Sequence, residues 1–346
     1  MRFSKNVCLA IIFVLLNMFV YSTSFAKEDP LEEWSPSFDP SKAQYVYLLS
    51  CVGHPAIEGV AVGFKIRDRL WKETDGKIYV DFRPLSQLGG EKDVINKLKF
   101  GAIQGMMSSS VAAANIAPVL GIVNLPYVVD SFEKLEKFRS NEQLWKPYQD
   151  AALSKGLQVL DFTGYGSYGW ATTKPVATRE QAQGVNFRIA QAPVNIDIYK
   201  AWNLKFSVLP WPDVPQALQT GVIDGLDHTP IVCNISKKFT VAKYYTQLDY
   251  AQGLYVHIIN KRWLDKLPPD LQEIFLRVVK EESAITRKLT IQQQEEQIAA
   301  AKKDGVTFYE LSKEDKAAMI KDCDPVYDVW GKKIGKKYLE QVQNTL

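Results

Sequence analysis

The stretch from Tyr45 to Ser110 narrows the fold most, because its hydrophobic period switches from strand to helix and back over short distances. Tyr45 to Ser50 is a short apolar run with the character of a buried strand. Ala56 to Thr74 carries Val60, Phe64, Ile66 or Arg67, and Leu70 at roughly helical spacing, and it stops at Asp75-Gly76, a pair suited to a helix C-cap. Ile78, Val80 and Phe82 alternate with polar residues as a second strand. Glu91 to Phe100 reads as a helix ended by Gly101, and Ala102 to Met107 as a third strand. Strand, helix, strand, helix, strand predicts a parallel sheet flanked by helices. Such sheets bind ligands beyond the carboxyl ends of their strands. The loops Ser50 to His54, Gln87 to Gly90 and Ser108 to Ser110 are therefore candidates for one wall of a cleft, with Ser50, His54 and Ser109 as candidate contacts.

The rest of the chain extends the α/β pattern. Phe132 to Ser154 is mainly helical, Gly156 to Phe162 is a strand, and Thr172 to Gln183 is a polar connection. Val185 to Ile189 and Gly253 to Ile259 read as strands. Pro268-Pro269-Asp270 opens the longest helix, where proline suits the first turn and Asp270 complements the dipole. Leu271, Ile274, Phe275, Val278, Ile285 and Leu289 share one face, and the pattern persists, more polar, to about Lys303. At 1.5 Å per residue that is a rod of roughly 50 Å, long enough to run across two domains. Val306 to Tyr309 is a short strand, and the chain from Ser312 is helical and charged.

The 346 residues, 46% apolar, suffice for one large or two medium domains. Arg2 and Lys5 precede an almost wholly apolar run from Val7 to Val20, and Ser24-Phe25-Ala26 offers small residues where a signal peptidase reads. Residues 1–26 are read as a cleaved secretory signal, with an uncleaved anchor as the alternative; the apolar run is short for a membrane span. Loss of Arg2 and Lys5 takes the formal charge from +3 to +1. That balance gives no case for nucleic-acid binding, which would call for a clustered basic face. Residues 27–43 read as a mobile polar leader into the fold. Cys51, Cys233 and Cys323 are widely spaced and odd in number, which does not suit a metal site. One disulfide with a spare thiol, or three buried thiols, both fit.

Chemistry-bearing patterns are few. Gly164, Gly166 and Gly169 match G-x-G-x-x-G after a strand, but Thr172-Thr173-Lys174-Pro175 breaks the helix a nucleotide site needs. Among His54, His228 and His257, none sits in a recognisable hydrolytic triad. His257 reads as a core residue inside an apolar strand, whereas His54 and His228 lie in loops as ligand-contact candidates. Arg188 stands among the alternating apolar residues of a strand, next to the loop Ala190-Gln191-Ala192-Pro193. A surface ion pair is the plain explanation for an arginine, but this placement can aim a planar fork of donors at an anion. Pro210-Trp211-Pro212-Asp213 fixes an aromatic side chain before a short helix, Val214 to Thr220, which Asp213 is placed to cap and Gly221 to end. Trp211 is either core or a cleft wall.

Gly184 to Arg188, with Ala217-Leu218-Gln219-Thr220-Gly221-Val222-Ile223-Asp224-Gly225, resembles the central signature of TRAP transporter solute-binding proteins of the DctP type. Gln87-Leu88-Gly89-Gly90, Lys99-Phe100-Gly101, Leu125-Pro126-Tyr127 and Leu267-Pro268-Pro269-Asp270-Leu271 fall at that family's other familiar positions, in order, so the resemblance spans the mature chain. It implies a periplasmic, monomeric, two-lobed binding protein without cofactor, metal or catalytic residue. Each lobe is a sheet flanked by helices, with a long helix spanning both; residues 44–163 plus about 254–294 form one lobe and 164–253 plus about 295–346 the other. It implies capture of a small organic anion for delivery to a small and a large membrane subunit. Arg188 would clamp the ligand's acid group, with contacts from Gln191, Trp211 and the turn Asp227-His228-Thr229-Pro230. Tyr168 stands where a second arginine is frequent, that turn is one residue longer than usual, and a pocket glutamate of sialic-acid binders is replaced near Ser109. These departures favour a small monoanion, carboxylate or sulfonate, with isethionate as a candidate. The competing readings are an exported hydrolase using His228 or His54, and a binding protein serving an ABC importer or a sensor.

Overall fold

The computed structural model describes residues 31–346. The expected signal segment, residues 1–26, lies outside them. Up to Asp39 the chain is a unit by itself, in which Glu32–Trp34 make one 3-10 turn. Pro40 to Leu346 form the other unit.

That second unit is built on a nine-stranded sheet. Its strands are β1 (Tyr45–Cys51), β2 (Ile78–Arg83), β3 (Gly105–Ser109), β4 (Leu157–Thr172), β5 (Asn186–Ile189), β6 (Lys205–Val208), β7 (Gly225–His228), β8 (Tyr244–Asn260) and β9 (Thr307–Glu310). The main helices are α1 (Glu58–Glu73), α2 (Glu91–Lys99), α3 (Phe132–Ser140), α4 (Glu142–Asp150), α5 (Pro193–Ala201), α6 (Val214–Gln219), α7 (Pro230–Ile235), α8 (Pro269–Lys303), α9 (Lys313–Lys321), α10 (Asp324–Ile334) and α11 (Lys336–Thr345). The strand order is β2-β1-β3-β8-β4-β7-β5-β6, with β9 added to β8.

The expected βαβαβ start is present: β1 pairs in parallel with both β2 and β3. The middle of the sheet departs from the simple reading. β4 runs past Phe162 to Thr172, and β8 begins at Tyr244 rather than Gly253. The two pair antiparallel along nearly their whole length, so one ribbon joins both halves of the sheet. Glycines masked this continuity. The register of β4 slips between Val159 and Asp161, Gly164 and Gly166, and Ser167 and Gly169. Such bulges re-aim side chains without ending a strand. Gly166 has φ +102°, and a Cβ there would lie 2.7 Å from Gln294 Oε1. The G-x-G-x-x-G match is therefore a bulged strand, with no helix after it to cradle phosphate.

Registers place the strand ends. β3 runs antiparallel to β8 with Ser109 opposite Tyr255, so the carboxyl ends of β1 and β3 reach the middle of the ribbon. β7 pairs with β4 with His228 opposite Gly169, and β5 runs parallel to β7. The carboxyl ends of β5 and β7 thus reach the same middle from the opposite direction.

The long helix matches its expected span and ties both halves together. Its amino-terminal half presents Phe275 edge-on to Tyr47, with ring centres 5.0 Å apart. The Tyr47 hydroxyl meets His257 Nε2 at 2.8 Å inside the core, where His257 is 2% exposed. Its carboxyl half is polar because it makes specific bonds. Gln293 bonds the backbone of Ala56 and Glu58, Gln294 Oε1 accepts the Ser167 N–H, and Gln297 Oε1 accepts from Asn234 on α7. The expected helix from Ser312 is α9, α10 and α11, the last two separated at Gly335 with φ +105°. Asp213 makes no capping bond to α6, because it already closes a 3-10 turn from Trp211. Cys51, Cys233 and Cys323 are buried free thiols.

Between β4 and α8 lies a buried charge cluster. Asp161 is 0% exposed and accepts both Nε (2.9 Å) and Nη2 (2.8 Å) of Arg139 on α3. Arg287 Nη1 on α8 donates to the same carboxylate at 2.9 Å and to the Phe162 carbonyl at 3.0 Å. Removing the shared anion leaves Arg139 without its carboxylate and Arg287 with only the half-exposed Glu136. Asp161→Ala is expected to lower the unfolding free energy by about 3–5 kcal/mol in urea titration. A change below about 1 kcal/mol would show that the cluster carries little.

Candidate functional site

The converging strand ends enclose a cavity of about 440 Å³, within the range of small-molecule sites. Six of the nine residues expected at the ligand line it: His54, Ser109, Tyr168, Arg188, Trp211 and His228. Ser50, Gln191 and Thr229 do not. Ser50 is 1% exposed inside β1, level with Arg83 and Met106. Thr229 is 0% exposed; its hydroxyl donates to the Tyr165 carbonyl at 2.5 Å and caps α7. Gln191 lies on an outer groove with Lys92, Lys99 and Asn115, and also borders a small cleft with Glu91, Arg188 and Trp211. Its carbonyl accepts from Asn115 Nδ2 at 3.2 Å.

Arg188 is held in place by its own chain. Its Nε and Nη2 both donate to the Leu209 carbonyl, at 3.0 and 2.8 Å. This carbonyl follows β6, which pairs in parallel with β5, so sheet register sets the bond. The guanidinium carbon lies 5.6 Å from the centre of the Trp211 ring, a cation–π contact. These bonds use one edge of the guanidinium. No described residue accepts from Nη1, and no described carboxylate pairs with Arg188 directly. The Nη1/Nη2 edge is left for a guest, and it matches two oxygens of one acid group. Arg188 is 5% exposed, and burial lowers its pKa against the opposing pull of Glu91 and Asp227.

The other walls are aromatic and tightly keyed. The Tyr165 and Tyr168 hydroxyls bond at 2.7 Å, and both rings lie beside His228. The Thr229 N–H donates to His228 Nδ1 at 3.0 Å, which leaves the ring proton on Nε2 as a donor. Burial, with Arg188 and Lys238 nearby, keeps this imidazole neutral, well below its ordinary pKa. The Ala56 N–H likewise donates to His54 Nδ1, at 3.1 Å. Trp211 also packs 4.9 Å from His228 and 4.9 Å from Lys238 Nζ, ring centre to partner. Trp211 is thus a wall of the cavity.

Glu91, Asn195, Tyr165 and Tyr255 also line the cavity and escaped the sequence reading. Glu91 was legible only as the start of α2. Asp227, expected only as the first residue of the ligand-contacting turn, lines the cavity from the end region of β7. Asp227 is 3% exposed, and its Oδ2 accepts from the Tyr250 hydroxyl (2.6 Å) and Asn195 Nδ2 (3.2 Å). Burial pushes its carboxyl up to about 7, opposed by Tyr250 and by the charge of Arg188. Among the described residues no cluster of His, Cys, Asp and Glu could hold a metal ion. The free edge of Arg188 is chemically suited to an anion.

The family model for bacterial extracellular solute-binding proteins, family 7 (DctP), matches residues 55–333. The C4-dicarboxylate-binding periplasmic protein DctP of Rhodobacter capsulatus is 28% identical over 282 residues, covering 81% of this chain and 84% of that one. The 2,3-diketo-L-gulonate-binding periplasmic protein YiaO of Escherichia coli is 27% identical over 246 residues, covering 70% and 74%. A TRAP periplasmic solute-binding protein from Sulfurospirillum deleyianum, solved with bound succinate, superposes with a TM-score of 0.81 at 26% identity, covering 88% of this chain and 100% of that one.

The raised Asp227 carboxyl has a consequence for stability. The folded state favours its neutral form, so its contribution is complete below about pH 4 and is lost as pH rises through about 7. Asp227→Asn is expected to flatten the decline in unfolding free energy over that interval, read by urea titration at several pH values. An unchanged slope would place the pH dependence elsewhere.

Proposed function

This chain belongs to the DctP family of TRAP transporter solute-binding proteins, and we propose from that premise that it captures a small organic monoanion, carboxylate or sulfonate, in the periplasm. The observation that carries the reading is the open Nη1/Nη2 edge of Arg188, fixed by the Leu209 carbonyl and shielded by Trp211. A guanidinium edge grips two oxygens of a planar carboxylate or of a sulfonate with similar geometry. Water exclusion strengthens that contact. Relatives and structural neighbours bind succinate, C4-dicarboxylates and sugar acids. This cavity carries one arginine, with Tyr168 in place of a second cation, which favours a single acid group. Isethionate, a hydroxyalkyl sulfonate, is a specific candidate. The partners would be the small and large membrane subunits of a TRAP transporter, and residues 1–26 would be removed on export.

Closure completes the mechanism. The lobes would be residues 44–163 with about 254–294, and 164–253 with about 295–346. They would rock about the bulged middle of β4, its partner β8, and α8. A ligand that touches both lobes stabilises the closed state by its differential affinity for it. Small-angle scattering should show a smaller radius of gyration on saturation; an unchanged radius would contradict closure.

A thermal-shift screen against small carboxylates and sulfonates should identify a stabilising ligand. For the best hit, Arg188→Ala is expected to weaken binding in calorimetry by at least about 30-fold, since a buried charge pair loses about 2 kcal/mol or more on truncation. Arg188→Lys should fail similarly, because one ammonium cannot bond Leu209 and also present a two-donor edge. Unchanged affinity in a folded Arg188→Ala variant would sink the clamp.

A further inference from the structure

The cavity that holds the guanidinium is also rich in acceptors. Glu91, the first residue of α2, lines the cavity and is held by Ser109 at the end of β3. The Ser109 N–H donates to Oε1 at 2.6 Å, and the Ser109 hydroxyl donates to Oε2 at 2.9 Å. Ser109 Oγ also accepts the Ala112 N–H at 3.2 Å, which commits its one proton to Glu91. Two fixed donors and the first turn of a helix favour the ionised carboxylate. Burial works the other way and raises the pKa, while the charge of Arg188 lowers it. Each Glu91 oxygen keeps a lone pair that Ser109 does not use.

Asp227 and Asn195 reinforce this character. Both line the cavity, at 3% exposure each, and each keeps its Oδ1 without a partner among the described residues. The Asn195 oxygen is an acceptor that is costly unless a guest supplies a donor, and Asp227 Oδ1 is one whenever that carboxyl is ionised. Lys237 lines the cavity too, but its side chain is exposed, and the buried Lys238 gives its ammonium to the Ser236 carbonyl and the Trp211 face.

We infer that Glu91, seconded by Asn195 and by Asp227 in its ionised form, makes an acceptor subsite that selects acids carrying a hydrogen-bond donor, a hydroxyl or a protonated amine, besides the acid group that Arg188 holds. The inference rests on the proposal that Arg188 holds the acid group. A ligand with a second carboxylate would bring an anion to Glu91, and like charges brought together there work against binding. A ligand with a bare alkyl end would leave Asn195 Oδ1 and Asp227 Oδ1 unmet and offer Glu91 nothing.

The test is calorimetry on the full mature chain with matched alkanesulfonates and alkanoates of two to six carbons. Each length is presented with a methyl, hydroxyl, amino or carboxyl end. The tightest binder should carry a hydroxyl or an amino end, and which of the two it is identifies the donor. Its methyl and carboxyl counterparts should bind at least about 10-fold more weakly. Glu91→Gln keeps the side-chain shape and one acceptor oxygen. It should shrink the donor-to-diacid preference at least about 10-fold while leaving the methyl-ended acid within about threefold. Tightest binding by a diacid or a methyl-ended acid, or by no member of the series, would overturn the inference. So would an undiminished preference in Glu91→Gln. A loss of dependence on Arg188 would instead bring down the clamp itself, so the two failures read differently.

Discussion

A buried guanidinium without a carboxylate of its own is the constraint around which the cavity is arranged. Moving a cation from water to protein interior costs several kcal/mol unless other groups replace its hydration. For Arg188 the replacements are partial: the Leu209 carbonyl on one edge, the Trp211 face, and the more distant charges of Glu91 and Asp227. A direct ion pair would have stabilised the empty protein at the expense of the guest. Withholding it would reserve the strongest contact in the cavity for the acid group of the proposed ligand. The orientation is already fixed before binding, which lowers the ordering cost of capture.

The sheet makes that arrangement possible. Two sets of parallel strands approach one antiparallel ribbon from opposite directions, so their carboxyl ends meet at its middle. Bulges at the same place turn Tyr165 and Tyr168 into the cavity and make the ribbon a natural place to bend. The long helix runs alongside, with aromatic packing on one half and glutamine bonds to both. Rigid ends joined at an irregular middle suit a hinge whose position a bridging ligand can bias.

Much of this could be read from residues alone. The period change from Tyr45 to Ser110 fixed the parallel start, and the Pro-Pro-Asp opening with its apolar face located α8 closely. Arg188 was visible because a charged residue in a strand demands an explanation. What the chain hid was long-range. Glu91 looks like any acidic residue in a first helical turn until β3 brings Ser109 against it. Asp227 and Asn195 meet only in the tertiary structure. Ser50 and Thr229 were misplaced because strand phase and a capping bond decide which way they face, and neither is marked in composition. The continuity of β4 was missed because its glycines look like a loop, although they serve a bulge.

The claim that Arg188 is a pre-set clamp is tested most directly by a crystal structure of the protein saturated with its tightest small-acid ligand. The account predicts both oxygens of the acid group on the Nη1/Nη2 edge, with the bonds from Nε and Nη2 to the Leu209 carbonyl retained. An acid group seated elsewhere in the cavity, or an Arg188 side chain that leaves Leu209 to reach it, would contradict the account.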